Sequence, residues 1–176
     1  DDIAWIFNLR GSDVPDNPVF YAYSLIPAKG NATLFINEEK VPADLKEQLA
    51  EEGVVLAPYH SVGAALASLS SGTVLVDPEE INASLLSRLP EHITQLELPN
   101  PIELMKALKT PEEIELISEA MLKDGVALVR FFAWLDRNLG KEEMTEQSLA
   151  DKLLYFRKSL PGYISLSFET ISAFGS

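Results

Sequence analysis

The sequence contains no cysteine, which excludes disulfide bonds and thiolate metal sites. No apolar run approaches the ~20 residues that a membrane-spanning helix needs, so we expect no membrane span. Basic residues are scarce, 14 against 27 acidic ones, and the net charge is −13. Nucleic acid is therefore excluded as a partner, because phosphate contacts require clustered Lys and Arg. With 47% hydrophobic residues, the composition is typical of a globular protein.

Short catalytic signatures are also missing. The sequence has no H-E-x-x-H, no G-x-S-x-G and no glycine-rich phosphate loop. Its two histidines, His60 and His92, lack an acidic or histidine neighbour at ligand spacing, so both are predicted to be ordinary surface or helix-start residues. Adjacent acidic pairs fall mostly at predicted helix ends and turns, where carboxylates complement the helix dipole. The residues alone therefore predict no catalytic group and no metal ligand.

Residues 1 to about 98 alternate between short β-rich apolar segments and short helical patterns, which predicts an α/β layered structure. The predicted strands cover residues 3–9, 20–26, 32–36, 54–57, 73–76 and 93–98. The predicted helices cover residues 42–51, 61–69 and 82–89. Because a turn around "PAKGN" separates residues 20–26 from 32–36, these two strands are predicted to form an antiparallel hairpin.

Residues from about 101 onward are dominated by a long amphipathic helix. Thr110, Pro111 and Glu113 form a strong helix start. Spacings of three and four residues then predict one apolar face made by Ile114, Ile117, Met121, Gly125, Leu128, Phe132, Leu135 and Leu139. A glycine within this face costs about 1 kcal/mol relative to alanine, so a close backbone approach is its predicted reason.

A second helix and a strand are predicted after this one. Thr145 can cap the helix, which Pro161-Gly162 would end, and the alternation over residues 164–168 predicts the strand. These elements have apolar faces with too little polypeptide to cover them, and the chain starts without Met in an apolar segment. We therefore expect a piece of a longer protein that is marginally stable or self-associates when isolated.

The stretch "NLRGSDVPDNP", residues 8–18, carries the remaining candidate contact residues. Two interpretations of it are open. In the local one, Ser12 and Asp13 accept hydrogen bonds from turn amides and Arg10 pairs with Asp13. In the functional one, the loop faces a ligand or a partner domain, since loops on rigid scaffolds often carry contacts.

The stretch "DDIAWIFNLRGSDVPDNPVFYAY" closely resembles the hallmark sequence in the second domain of the three-domain aminopeptidase P family of metallopeptidases. Residues 100–135 and 144–172 resemble the start of that family's catalytic domain. The resemblance implies an α/β fold in which residues 1–100 form most of a creatinase-like second domain. Residues 101–176 would then supply the opening helices and first strand of a truncated "pita-bread" α+β domain.

The resemblance also implies a function for the full-length parent. The family releases the N-terminal residue from peptides with proline in second position, using water activated by two divalent metal ions, typically manganese. The family's metal ligands and catalytic histidine have no match in this chain, so the chain alone is expected to bind no metal pair and to be inactive. A cytoplasmic location and a dimeric parent are also implied. Arg10 and Asp13 match the substrate-access rim, and Phe168 is expected to line a substrate pocket.

A hypothesis from another class is a non-catalytic creatinase-like module that binds proteins, as in relatives that have lost their metal ligands. Intact ligands in the downstream sequence would favour the enzyme, and substituted ligands the module. Creatinase or prolidase chemistry is disfavoured, because "WIFNLRGSD" and "NPVF" fit aminopeptidase P better.

Overall fold

Helices and short strands alternate through the first two thirds of the chain in this computed structural model, which describes residues 1–175. The elements are α1 (Asp2–Ile6), β1 (Tyr23–Leu25), β2 (Ala32–Ile36), α2 (Ala43–Glu51), β3 (Val54–Pro58), α3 (Val62–Ala67), β4 (Thr73–Val76), α4 (Ala83–Leu86), β5 (Thr94–Glu97), α5 (Pro101–Ala107), α6 (Pro111–Asn138) and α7 (Glu146–Lys158). Short 3₁₀ turns, Glu38–Lys40 and Tyr59–Ser61, follow β2 and β3.

The chain divides into two units. The first is formed by residues 1–14 and 18–107, and the second by residues 15–17 and 108 onward. The helix α5, which was not predicted, belongs to the first unit. The assignment of residues 1–100 and 101–176 to two family domains stays a prediction.

The first unit contains two small sheets. In one, β1 runs antiparallel to β2, and β2 runs parallel to β3, in the order β1-β2-β3. In the other, β4 and β5 are parallel. Parallel neighbours need a crossover connection, and α2 provides it between β2 and β3. The predicted α/β fold and the predicted antiparallel hairpin are therefore confirmed.

Each sheet has an apolar core of its own. The first core consists of buried residues from β2, α2, β3 and the segment between them: Leu34, Ile36, Val41, Leu49 and Val54. The second is formed by Val76, Leu89 and Ile93. Removing such side chains from water is the main favourable term in folding, and the two cores fix the strand ends that carry the polar loops.

The strand predicted at residues 3–9 is wrong. Residues Asp2–Ile6 form the helix α1 instead. Short apolar runs do not distinguish a strand from a buried helix. Acidic residues at the start favour the helix, since Asp1 is its N-cap residue and Asp2 lies in its first turn. Asn8, at φ 49°, then turns the chain away in a left-handed conformation that Asn tolerates.

The two predicted cap sequences of the second unit are confirmed. Thr110 Oγ1 accepts a hydrogen bond from the Glu113 amide at 3.2 Å, and Glu113 Oε2 accepts one from the Thr110 amide at 2.8 Å. Thr145 forms the same reciprocal box with Ser148 at the start of α7. At 1.5 Å per residue, the 28 residues of α6 extend about 42 Å.

The predicted apolar face of α6 is largely uncovered. Met121 is 64% exposed and Phe132 is 59% exposed. The buried residues of α6 are instead Ala127 and Phe131, which lie on another side of the helix. Gly125 has nothing within 4 Å of a Cβ built on it, so the predicted close approach is wrong for the described residues. Self-association through the uncovered face stays a prediction.

The predicted strand at residues 164–168 is also wrong. No strand is present among described residues after α7, and Ile164 is 93% exposed. Sequence alternation encodes two faces, but a strand exists only when its backbone pairs with a neighbour. The segment follows Gly162, which has a φ of 82°. The helix α7 ends at Lys158, just before the predicted Pro161-Gly162 stop.

The Thr110 cap provides a test of how the second unit begins. Replacing Thr110 with Ala removes the side-chain acceptor, so we expect the free energy of unfolding to fall by about 1 kcal/mol. Thr110→Ser keeps the hydroxyl and should stay close to the parent sequence. Chemical denaturation followed by circular dichroism measures both. Equal losses in the two variants would show that the hydroxyl is not the stabilising group.

Candidate functional site

The loop after α1 folds back on residues 18–20. The Gly11 amide donates to the Pro18 carbonyl at 3.3 Å, and the Asp13 amide donates to the Val19 carbonyl at 3.1 Å. A Cβ at Gly11 would lie 2.7 Å from the Phe20 Cβ, closer than real Cβ contacts come. Glycine at this position therefore permits the close approach of two backbone segments.

Arg10 is directed towards the backbone of α1 and of its own neighbour Leu9. Its Nη1 donates to the Ala4 carbonyl at 3.3 Å and to the Leu9 carbonyl at 2.8 Å. A guanidinium beside carbonyls at a helix C-terminus satisfies acceptors that lack an intrahelical partner. The pair between Arg10 and Asp13 that the local interpretation predicted is not among the hydrogen bonds and ion pairs of residues 1–175.

Asp13 joins two other parts of the first unit. Its Oδ1 lies 2.5 Å from the Lys40 Nζ, and its Oδ2 accepts a hydrogen bond from the Tyr21 amide at 2.9 Å. The Lys40 hydrogen bond, followed by the Tyr21 amide, lowers the pKa of this carboxyl below its ordinary value. Asp13 therefore accepts from a backbone amide, as the local interpretation expected, and also holds Lys40 in place.

Both partners of Asp13 line a cavity of about 630 Å³. It lies at the carboxyl ends of β2 and β3, where ligands characteristically bind in α/β sheets. We call it the tyrosine cavity, and its lining residues are Tyr21, Ile36, Asn37, Glu38, Glu39, Lys40, Pro58, Tyr59 and His60.

Aromatic rings form one wall of the tyrosine cavity. The Tyr59 ring centroid is 5.1 Å from that of Tyr23 and 5.2 Å from that of His60. A hydrogen bond with Tyr23, followed by burial, raises the pKa of the Tyr59 phenol, which is therefore neutral at physiological pH. His60 is exposed, as the sequence predicted.

A second cavity, of about 880 Å³, lies within the second unit between α6, α7 and residues 160–171. Phe168 lines it, as do Ile164 and Ile171. Asp124 and Arg157 contribute an ion pair to the same lining, with Nε 2.6 Å from Oδ1 and Nη2 3.2 Å from Oδ2. This two-point contact joins α6 to α7. A second ion pair in the lining joins Lys123 Nζ to Glu119 Oε1 at 2.7 Å, so the cavity combines apolar walls with two ion pairs.

The described residues contain one group of acidic side chains close enough to hold a metal ion. Carboxylate oxygens of Asp2, Glu80 and Glu103 lie within 4.8 Å of one another. The repulsion from Glu80 raises the pKa of the Glu103 carboxyl. Both oxygens of Asp2 are already bound, by Lys106 Nζ at 2.5 Å and by Asn100 Nδ2 at 2.6 Å. Three carboxylates, one of them with both oxygens engaged, are too few ligands for two metal ions, so these residues do not fit a dinuclear metal centre.

The predicted residues are divided between the units. Arg10 and Asp13 lie in the first unit and Phe168 in the second. Sequence reasoning missed Tyr21 and Tyr59 as cavity residues. A usable signal was present for Tyr59, because it directly follows an apolar strand in an α/β pattern. The other predicted surface histidine, His92, has Nε2 3.1 Å from the Leu69 carbonyl.

Residues 1–113 match the model of the creatinase/prolidase N-terminal domain. The chain belongs to this family. It is similar to "Aminopeptidase P2" of Arabidopsis thaliana, with 33% identity across 100% of this chain and 29% of the relative. It is also similar to the solved X-prolyl aminopeptidase of Caenorhabditis elegans, described as a cytosolic enzyme with a di-nuclear active site, with 31% identity and a TM-score of 0.88 over 98% of this chain and 29% of that one.

The chain is also similar in structure to a Xaa-Pro dipeptidase from Bacillus anthracis, with a TM-score of 0.60 and 15% identity. At this identity the similarity shows a shared fold and nothing more. The chain spans about 26–31% of the length of these curated relatives. Within residues 1–175, no helix has both the length and the hydrophobicity that crossing a membrane requires.

Substitution by alanine should change the free energy of unfolding in opposite directions at two glycines. Gly11→Ala places a methyl group against Phe20 and the Val19 carbonyl, so we expect a loss of about 1–3 kcal/mol in unfolding free energy. Gly125→Ala adds a methyl group in open space within α6 and should gain up to about 1 kcal/mol. Denaturant titration measures both. A neutral Gly11→Ala variant would contradict the close approach.

The Asp13 contacts should stabilise the first unit in a pH-dependent way. Because the folded-state pKa is lowered, the contribution is full above the ordinary value of 3.8 and disappears as the pH falls through the folded-state pKa. Asp13→Asn should lower the Tm at neutral pH, and this loss in Tm should be smaller near pH 3. Glu47→Gln, the same charge change on exposed α2 surface, is the control for net charge. If the difference in Tm between Asp13→Asn and the parent sequence does not change with pH, the Asp13 carboxylate makes no such pH-dependent contribution.

Proposed function

We propose that the chain is part of an X-Pro aminopeptidase. The observation that carries the proposal is the hallmark stretch at residues 1–23, on a chain similar over 98% of its length to a solved X-prolyl aminopeptidase. The whole protein would release the N-terminal residue from peptides with proline in second position. Two divalent metal ions, expected to be manganese, would be held by residues outside this chain, since the acidic group in the first unit does not fit such a centre.

In this proposal the residues of this chain control how peptide substrates reach the active site of the whole protein, and they do not carry out the reaction themselves. Asp13 is suited to a rim position because Lys40 and the Tyr21 amide fix its carboxylate. Arg10 contributes by holding the start of the loop to α1. Phe168 belongs to an apolar cavity wall, the kind of surface that accepts a proline ring. We propose a cytoplasmic, dimeric parent.

The proposal is tested on the parent open reading frame that contains this chain. The purified protein, depleted of metal and reconstituted with Mn²⁺, should release the first residue from an Xaa-Pro peptide and leave the matching Xaa-Ala peptide intact. Mass spectrometry follows the release. A protein that binds no manganese and releases nothing would instead support the alternative of a non-catalytic creatinase-like binding module.

Phe168 is tested within the same assay. Phe168 is 67% exposed, so a bound substrate would have to cover its ring. Phe168→Ala should then reduce kcat/KM for the Xaa-Pro peptide by about tenfold, since an aromatic contact buried on binding contributes on the order of 1–2 kcal/mol. Phe174→Ala is the matched control, because Phe174 is 96% exposed and does not line the cavity. An active enzyme that the two substitutions affect equally would remove Phe168 from the substrate pocket while leaving the proposed activity intact.

A further inference from the structure

We propose that the tyrosine cavity in the first unit binds a cationic side chain of a peptide, the guanidinium of arginine above all. The cavity measures about 630 Å³, which accommodates such a side chain with the adjoining peptide backbone. It lies beyond the carboxyl ends of two adjacent parallel strands, β2 and β3. The inference does not depend on peptidase activity, because binding is measured on this chain.

The aromatic wall supplies one half of the recognition. Tyr59 is partly buried and stacks in a tilted arrangement on Tyr23, which restricts its ring. Tyr21 is 61% exposed on the same cavity and is free to cover a ligand. Faces of aromatic rings attract organic cations, and arginine also stacks on them through its planar guanidinium.

Two carboxylates at the rim supply the other half. The 3₁₀ turn Glu38–Lys40 is fixed by the Asn37 side chain, which accepts a hydrogen bond from the Glu39 amide at 3.3 Å. The carboxylates of Glu38 and Glu39 form no ion pair or side-chain hydrogen bond with residues in the described part of the chain. They are therefore available to a ligand.

The one Lys or Arg among the described lining residues does not cancel this charge. Lys40 Nζ lies 2.5 Å from the Asp13 Oδ1, so its positive charge is already paired. The remaining lining charges are the two carboxylates, on a chain whose net charge is −13. An anionic ligand would be repelled. A metal ion would have to give up strongly held water to contact the tyrosine faces, whereas a weakly hydrated, planar guanidinium stacks on them and pairs with the carboxylates.

The probe is the blocked tripeptide acetyl-Gly-Arg-Gly-amide, compared with the same peptide carrying neutral, isosteric citrulline. In a titration of the isotope-labelled chain, the arginine peptide should shift the amide resonances of residues 37–40 and 59–60 saturably, with a Kd on the order of 1 mM. Calorimetry gives the affinity. The citrulline peptide should bind at least about fivefold more weakly, because it lacks the charge.

Two double variants separate local recognition from overall charge. Glu38→Gln with Glu39→Gln should weaken arginine-peptide binding about fivefold. Glu47→Gln with Glu51→Gln removes the same charge from exposed positions on α2 outside the cavity and should change it less than about twofold. Tyr59→Leu should weaken binding about two- to fivefold. If Tyr59→Leu unfolds, the two double Glu→Gln variants, which change only exposed residues, still test whether the cavity carboxylates bind the arginine peptide.

The proposal is overturned by equal binding of the arginine and citrulline peptides, or by equal losses in the two glutamine pairs. Absence of any resonance shift near the cavity at about ten times the expected Kd would also overturn it. A response to methylguanidinium alone that matches the peptide would support the guanidinium subsite and show that the flanking backbone adds nothing.

Discussion

The two contacts of the Asp13 carboxylate join the segment before β1 to the turn after β2 in the first unit. One oxygen accepts from the Tyr21 amide just before β1, and the other pairs with Lys40 in the turn after β2. Because adjacent strands meet at this point, one side chain sets the spacing between the wall and the rim of the tyrosine cavity. The same contact withdraws Lys40 from its acidic neighbours. A lysine beside Glu38 and Glu39 would otherwise neutralise the rim, so the ion pair determines the charge that the cavity presents.

Predictions that rested on local chemistry were confirmed. The Thr110 and Thr145 caps were found because the cap sequence and the cap geometry involve the same four residues. The strands β2 and β4 were predicted with their observed bounds, because each is bordered by turn residues. The two failed strand predictions, at residues 3–9 and 164–168, share a cause. Residues 3–9 are a short apolar run and residues 164–168 alternate between apolar and polar side chains. In both segments the conformation depends on which backbone lies next to them, and that information is not local.

The site shows the same limit. Asp13 was identified because a polar cluster between apolar segments is unusual in sequence, but its partner Lys40 lies 27 residues away. The tyrosine cavity was missed because three separate segments converge only when β2 and β3 pair in parallel, with Ile36 opposite Pro58. The register of a sheet follows from burial over its whole length. A sequence pattern therefore indicates that residues follow a strand, but not which strand ends meet.

The helix α6 carries apolar residues on more than one side, and this constrains how it can be used. Ala127 and Phe131 are buried, as is Leu153 of α7, whereas Ile117, Met121 and Phe132 remain exposed. A surface helix needs one apolar stripe, and a helix that is apolar around much of its circumference is suited to burial on several sides. Capping adds only about 1 kcal/mol, which is small beside the cost of leaving several large side chains in water. The composition of α6 thus fits a helix that packs on α7 and on a second apolar surface at the same time.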